Sequence, residues 1–341
     1  MRHIVTGLDR RLFSPAVWCL AGGGDIAGEI RCSGTPVELF HMEARPSIGF
    51  VLALALRMRR TRVEIAHCHG YTACAVGRVA AVLARTPAIF AHVHSHGYHL
   101  QPRQRRFERL LSFATTKVLC VSESVRAFVV EHERISPSRT QVVYNGAPEP
   151  VLPDSTLARR RFGIADGMKV LGCVASLAPH KGHTVLLDAV RMAQEAIPNL
   201  VLLVVGDGPL RQELEQRACQ AKVAAIFTGL LPNIGEALAA MDALSLLPPR
   251  QEGLSLALIE GMAASKPLIG AAVGGIPEVI RDGVNGLLCA PGDPTHAAAC
   301  LVAVLGDSER ARSMGEAGRK LYRERFTPQR MIADIEQLYR S

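Results

Sequence analysis

Short apolar runs rich in Val, Ile and Leu recur along this chain with stretches of helical composition between them. That alternation constrains the fold more than any other feature. Residues 63–67, 88–93 and 117–121 read as buried strands in the first half, and residues 170–174, 200–205, 224–227, 243–247 and 267–270 repeat the style in the second. Runs so short and so uniformly apolar fit strands covered on both faces. Strands alternating with helices imply an α/β class with parallel sheets and right-handed crossovers, and ligands of such sheets sit beyond the C-terminal ends of the strands. A chain of 341 residues is long enough for two such domains. Pro148-Glu-Pro-Val-Leu-Pro153 reads as the joint, giving domains at 1–147 and 148–326 and a closing helix at 327–341 that begins on the start signal Thr327-Pro328.

Composition removes several function classes. The 48% hydrophobic and 21% charged content is that of an ordinary globular chain, without repeats or low-complexity tracts. Nine scattered cysteines with no C-x-x-C pair predict reduced thiols in a cytoplasmic protein rather than a disulfide framework or zinc ribbon. Met1-Arg-His-Ile-Val-Thr-Gly7 has none of the apolar character of a signal peptide. The longest apolar run, residues 48–56, is too short to span a bilayer and reads as a buried helix.

The net charge of +8 is unevenly placed: residues 1–150 carry 19 Lys and Arg against 11 Asp and Glu, whereas the remainder is balanced at 20 of each. Arg57-Met-Arg-Arg60 and Arg103-Gln-Arg-Arg-Phe-Glu-Arg109 concentrate the excess. It is either solvated helix surface or an attraction to anionic lipid or a phosphorylated acceptor, at the inner membrane face. Only 5% of residues are aromatic and no nucleic-acid motif is present, so nucleic acid is not an expected partner.

Chemistry concentrates around two carboxylates eight positions apart. In Pro248-Pro-Arg-Gln-Glu-Gly-Leu-Ser-Leu-Ala-Leu-Ile-Glu-Gly-Met262, the prolines and Gly253 keep the first part non-helical, Ser255 is an N-cap, and residues 256–264 have helical composition. Glu252 then lies on the loop and Glu260 a little over one turn into the helix. A ligand on that helix N-terminus would meet backbone N–H groups suited to phosphate, with a hydroxyl-binding carboxylate on either side. Phosphate in the middle and a sugar at each end describes a nucleotide sugar. Alone, an acid in a loop and another on a helix face are ordinary. Four further segments fit the same ligand. They are a lysine loop, Val174-Ala-Ser-Leu-Ala-Pro-His-Lys-Gly182; a turn ending a buried strand, Val205-Gly-Asp-Gly-Pro209; a second glycine turn, Gly274-Gly-Ile-Pro-Glu278; and Val143-Tyr-Asn-Gly146 near the joint.

In this order the segments resemble the family 4 retaining glycosyltransferases of GT-B fold, with the likeness continuous from Val143 to Pro294 and looser before it. The resemblance implies two Rossmann-like domains facing across a cleft, with the closing helix crossing back to the first. It implies a metal-independent hexosyltransferase with no cofactor, working from a UDP- or GDP-linked sugar to a glycan or lipid-linked acceptor in cell-surface polysaccharide synthesis. Lys181 would neutralise the departing nucleoside diphosphate. The amides of Gly253, Leu254 and Ser255 would hold its phosphates, Gly206 and Gly208 would let the backbone approach it, Glu252 would meet the sugar, and Glu260 the ribose. The chain has no Asp-x-Asp to bridge a metal to the diphosphate. His67-Cys-His-Gly70 and His92-Val-His94 each end a strand. His94 matches the histidine that similar enzymes place at the reacting centre, with His69, Gly70 and Tyr71 on the acceptor side. His92, His96 and His99 crowd nearby, but the spacing fits no standard zinc pattern and no metal ligand is assigned. Val121-Ser-Glu-Ser124 reads as a helix start first and a cleft contact second.

Two departures qualify the implication. Relatives carry an arginine five residues before the lysine, where this chain has Ser176, so the leaving group has one cation fewer unless Arg250 or His180 substitutes. Relatives also open on a buried strand and glycine-rich loop, whereas Met1 to Gly7 matches only the tail of the helix that follows. Either the start lies upstream or the chain is a truncated relative. The alternative function is therefore a catalytically inactive relative that binds nucleotide or glycan, or pairs with an active transferase. A GT-B epimerase would need further acid/base carboxylates that the sequence does not offer.

Overall fold

The computed structural model describes residues 1–42, 46–97 and 100–340. The chain starts with α1 (Arg2–Gly7), β1 (Val17–Cys19), α2 (Asp25–Cys32) and β2 (Val37–Leu39). A regular alternation follows through α3 (Ile48–Arg60), β3 (Ile65–His69), α4 (Tyr71–Ala84), β4 (Ala88–Val93), α5 (Pro102–Ser112), β5 (Lys117–Cys120), α6 (Glu123–His132) and β6 (Thr140–Val142). The second half runs α7 (Ser155–Arg161), β7 (Lys169–Val174), α8 (His183–Ala193), β8 (Leu200–Val205), α9 (Arg211–Gln220), β9 (Ala225–Phe227), α10 (Gly235–Ala240) and β10 (Ala243–Leu246). It ends with α11 (Leu256–Ala263), β11 (Leu268–Ala271), α12 (Ile276–Val279), β12 (Gly286–Cys289), α13 (Pro294–Leu305), α14 (Ser308–Arg325) and α15 (Pro328–Arg340).

The chain divides into two compact units, residues 1–146 with 328–341, and residues 147–327. In the first, β3-β4-β5-β6 form a parallel sheet in sequence order, and β1 and β2 pair as a separate parallel ribbon. Helix α15 packs on α1, and its Met331, Ile335 and Leu338 join Ile4, Leu8, Phe90 and Leu119 in one buried cluster. Its apolar stripe needs such a partner, because an amphipathic helix is stabilised chiefly by the face it buries.

In the second unit, six parallel strands are ordered β12-β11-β10-β7-β8-β9. The order reverses between β7 and β10, which makes the C-terminal ends of those two strands the switch point where ligands of such sheets bind. Strands β7, β8, β10 and β11 are almost wholly buried, as runs of Leu, Val and Ile without alternation require. Helices α8 and α13 pack together over one face, with Leu186, Leu187, Val190, Leu301 and Val304 in the core.

Two readings of the sequence change. Residues 48–56 do form part of a helix, but α3 is not buried: Leu54, Ala55 and Met58 face the core, whereas Ile48, Leu52 and Leu56 are 81%, 48% and 54% exposed. The run is apolar all round, so composition alone gives no hint that one side faces out. The strand expected at 63–67 lies at Ile65–His69 instead, because the Val63 N–H still bonds to the Met58 carbonyl at the exit of α3 (3.0 Å) and cannot join the sheet. All nine cysteines are free thiols.

Candidate active site

Four loops follow β7, β8, β10 and β11 in the C-terminal unit, and the first and third flank the switch point. After β7 the chain makes a single 3-10 turn, Pro179–Lys181, and enters α8 through Gly182 at φ +75°. A Cβ at Gly182 would stand 1.7 Å from the Leu247 carbonyl oxygen at the end of β10, so this loop presses directly on its neighbour across the switch point. Lys181 is held beside that contact. Its Nζ donates to Glu252 Oε2 at 2.7 Å, and the two side chains are only 20% and 11% exposed.

Glu252 is fixed through its backbone as well. Its carbonyl accepts from the Gly275 N–H at 2.9 Å, and a Cβ on Gly274 (φ +54°) would lie 2.0 Å from the same oxygen. The Gly274-Gly275 turn after β11 thus backs the loop that bears the first carboxylate. Gly253, Leu254 and Ser255 follow, all buried, and the Ser255 hydroxyl caps α11 by accepting from the Leu258 N–H at 3.3 Å. Glu260 stands on α11, and its carboxylate makes no hydrogen bond to the described residues. Burial raises its carboxyl from the usual 4.5 to about 7.

The turn after β8 ties into the lysine loop. The Leu177 N–H donates to the Asp207 carbonyl and the Leu210 N–H to the Leu177 carbonyl, both at 3.0 Å, while the Gly206 N–H donates to the Gly229 carbonyl at 2.9 Å. Gly208 lies so close to Leu177 that a Cβ there would meet its carbonyl oxygen at 2.6 Å. Sequence reasoning missed Arg211, which donates to both Asp207 (3.2 Å) and the Phe227 carbonyl (3.3 Å) and locks the turn onto β9. The Asp207/Arg211 spacing of four on a helix start was the available signal. Ser176 is exposed, and its carbonyl accepts from His183 Nε2 at 3.0 Å. The structure therefore joins Lys181 to Glu252 and the Gly206–Gly208 turn to the lysine loop, while Glu260 stands apart on its helix.

In the N-terminal unit, β3 and β4 pair in register with His69 opposite His92. Alternation along each strand puts His67, His69, His92 and His94 on one face of the sheet. His69 Nδ1 and His94 Nε2 are 3.0 Å apart, and His67 Nδ1 lies 2.6 Å from the Tyr339 hydroxyl on α15. Gly70, at φ +79°, turns the chain from β3 into α4, whose first residue is Tyr71. His96 does not join the other rings. It bonds through Nε2 to the Ser124 hydroxyl (2.9 Å), while Ser122 caps α6 by accepting from the Val125 N–H (3.1 Å). His99 lies outside the described residues.

Two α/β units of parallel strands, the second with a ligand-binding switch point, make up the architecture of the GT-B fold. Residues 1–149 match the model of Glycosyltransferase Family 4, and residues 154–321 match that of Glycosyl transferases group 1. The chain belongs to the family 4 glycosyltransferases. It is 30% identical over 304 residues to N-acetyl-alpha-D-glucosaminyl L-malate synthase of Bacillus anthracis, covering 84% of this chain and 78% of that one. It is 24% identical over 275 residues to the Escherichia coli UDP-Gal:alpha-D-GlcNAc-diphosphoundecaprenol alpha-1,3-galactosyltransferase, covering 75% and 70%. Its fold matches the crystal structure of Anabaena HepE in complex with UDP and glucose at a TM-score of 0.87, with 22% identity, across 100% of this chain and 94% of that one. Among the described residues no helix is long and apolar enough to cross a membrane.

Proposed function

We propose that this chain moves a hexose-type sugar from a UDP- or GDP-linked donor to a glycan or lipid-linked acceptor, with retention at the anomeric carbon. The observation that carries the reading is the Lys181–Glu252 pair at the switch point, with Glu260 on the helix that follows. On donor binding both partners exchange: Lys181 turns to the diphosphate and Glu252 to sugar hydroxyls. The anomeric carbon–oxygen bond to the diphosphate breaks with its electron pair staying on the diphosphate. The acceptor oxygen bonds to that carbon on the same face, and the acceptor's hydroxyl proton passes to the departing diphosphate. Lys181 and the amides of Gly253, Leu254 and Ser255 meet the charge that develops on the leaving group, so no metal need bridge the diphosphate. Glu260 accepts the ribose hydroxyls, His94 is the catalytic histidine, and His69, Gly70 and Tyr71 serve the acceptor.

A lipid-linked acceptor, in cell-surface polysaccharide synthesis at the inner membrane face, is favoured by the surface of the N-terminal unit. The exposed Ile48, Leu52 and Leu56 of α3 run into Arg59 and Arg60, and α5 exposes Phe107 and Leu110 among Arg103, Arg106 and Arg109. Apolar side chains beside arginines suit an anionic membrane surface. The Escherichia coli relative is named for a diphosphoundecaprenol acceptor, which agrees with this choice.

The test is turnover of a panel of UDP- and GDP-sugars by the wild type, Lys181→Ala and Glu252→Ala. Turnover that survives both substitutions overturns the mechanism. Nucleotide binding by calorimetry without transfer to any acceptor would instead make the chain a binding protein, the reading that Ser176 favours.

A further inference from the structure

We propose that His67, His69 and His92 form a binding site for one divalent transition-metal ion, of the imidazole-preferring class that includes zinc, cobalt and nickel. Each of the three rings brings a nitrogen within 4.8 Å of the others. His67 and His69 on β3 and His92 on β4 supply them from adjacent strands, so the ligand set is built by sheet register rather than by sequence spacing. That origin explains why the spacing matches no zinc pattern.

The hydrogen bonding points to a ligand. His67 Nε2 and both nitrogens of the fully buried His92 have no partner among the described residues. Buried polar atoms are nearly always satisfied, and an orphaned one costs about 1–3 kcal/mol. Three such nitrogens on neighbouring rings are hard to sustain without something between them. The opposite sides of the other two rings are already engaged: His67 Nδ1 with the Tyr339 hydroxyl and His69 Nδ1 with His94 Nε2. A metal-bound histidine is characteristically held in this way, one nitrogen on the ion and the other fixed by an outer partner.

The rings now stack. His67 and His92 lie 5.2 Å apart and 9° from parallel, and His92 and His94 are 4.5 Å apart. Converging three lone pairs on one ion requires chiefly that the His92 ring, which no hydrogen bond holds, rotate about its terminal torsion, a soft coordinate. The nitrogens would close to about 3.3 Å from one another around a tetrahedral ion. Three protein ligands leave a fourth position for water. This inference does not depend on the donor-site reading.

The experiment titrates the untagged, chelator-treated full chain with Zn²⁺ in a calorimeter and with Co²⁺ by visible absorption. One ion per chain is expected, with the d–d bands of nitrogen-ligated cobalt and no thiolate charge-transfer band. Such a band would assign the ion to cysteines instead, the exposed Cys32 and Cys219 being the accessible ones. His67→Asn and His92→Asn should each weaken binding by roughly tenfold or more, whereas His41→Asn, an exposed position, should not. Circular dichroism checks that each variant folds, and His69→Asn, less deeply buried, replaces any that does not. No saturable binding by the wild type, a thiolate band, or undiminished affinity in a folded variant overturns the proposal.

Discussion

Lys181 Nζ and Glu252 Oε2 meet at 2.7 Å although 71 positions separate them in sequence, and their pair sits at the switch point of the six-stranded sheet. Each charge satisfies the other while no donor is bound. Removing one leaves its partner mostly buried and unmatched, which is costly. Lys181→Ala and Glu252→Ala should each lower the melting temperature, and the double variant should recover part of the loss. A double-mutant cycle should give a coupling of about 0.5–3 kcal/mol. For transfer, each single variant should lose about 10²–10³ in kcat. Independent, additive effects on stability would show that the pair is incidental.

Glu260 gives the site a pH dependence of definite sign. Its carboxyl titrates near 7 in the folded chain against 4.5 for an ordinary glutamate, with burial as the cause. Between those values the folded form keeps a proton that the unfolded chain has released. Its contribution to stability is therefore fully present below about pH 4.5 and is lost as pH rises through 7. Binding runs the other way, because only the ionised carboxylate accepts two ribose hydroxyls. Nucleotide affinity should rise as pH increases through 7, with proton release on binding just below that point. Calorimetry in buffers of different ionisation enthalpy measures the release, and Glu260→Gln should abolish it. A flat wild-type profile would remove Glu260 from the ribose.

The parts of this site that could be read from sequence were those with local chemistry. The capped helix, the glycine turns and the lysine loop each fall within a few residues, and the long apolar strands β4, β7 and β8 were legible within one residue. What escaped depends on partners distant in sequence. β2 and β6 carry Glu38 and Gln141 at their centres, which interrupt any apolar run, and β1 and β12 are short and only partly buried, so neither was singled out. The stack of His67, His69, His92 and His94 needed the register of β3 against β4. The exposed side of α3 needed knowledge of which neighbour covers Leu54 and Met58. Arg211 had its i,i+4 partner in view, but its hold on the Phe227 carbonyl exists only once β9 lies beside β8.

The tight contact at Gly182 can be separated from its backbone strain. Gly163 and Gly182 have φ of +68° and +75°, but a Cβ at Gly163 would meet nothing within 4 Å, whereas one at Gly182 would strike the Leu247 carbonyl. Gly163→Ala should cost about 1 kcal/mol, the penalty of the left-handed region alone. Gly182→Ala should cost clearly more and should also impair turnover, because it pushes the Lys181 loop away from β10. Chemical denaturation of both variants checks this, and equal losses would mean that the two loops are not pressed together as described.

Ser176 offers a gain-of-function test. The side chain is exposed, and the residue's carbonyl, not its hydroxyl, receives the His183 bond. Ser176→Arg should therefore fold normally and return the second cation that the family resemblance places near the diphosphate. An added charge-assisted hydrogen bond is worth about 1.5–3 kcal/mol, so nucleoside-diphosphate affinity should improve by roughly tenfold or more. Unchanged affinity in the folded variant would mean that position 176 does not reach the phosphates.

The outer stripe of α3 predicts membrane attachment that can be removed without disturbing the fold. Ile48, Leu52 and Leu56 recur every fourth residue on the side of the helix away from Leu54 and Met58, and Arg59 and Arg60 close its last turn. Burying one leucine in the acyl boundary contributes about 1.5–3 kcal/mol. Leu52→Glu or Leu56→Glu should thus weaken binding to anionic vesicles by about tenfold or more. The melting temperature should barely move, because surface changes of this kind stay within about 0.5 kcal/mol. The arginines add an electrostatic part that falls as salt rises, so wild-type binding should weaken with ionic strength and with loss of anionic lipid. Co-sedimentation with vesicles of zero and high anionic content separates the two parts. Equal sedimentation of wild type and glutamate variants on anionic vesicles would show that α3 is not the contact.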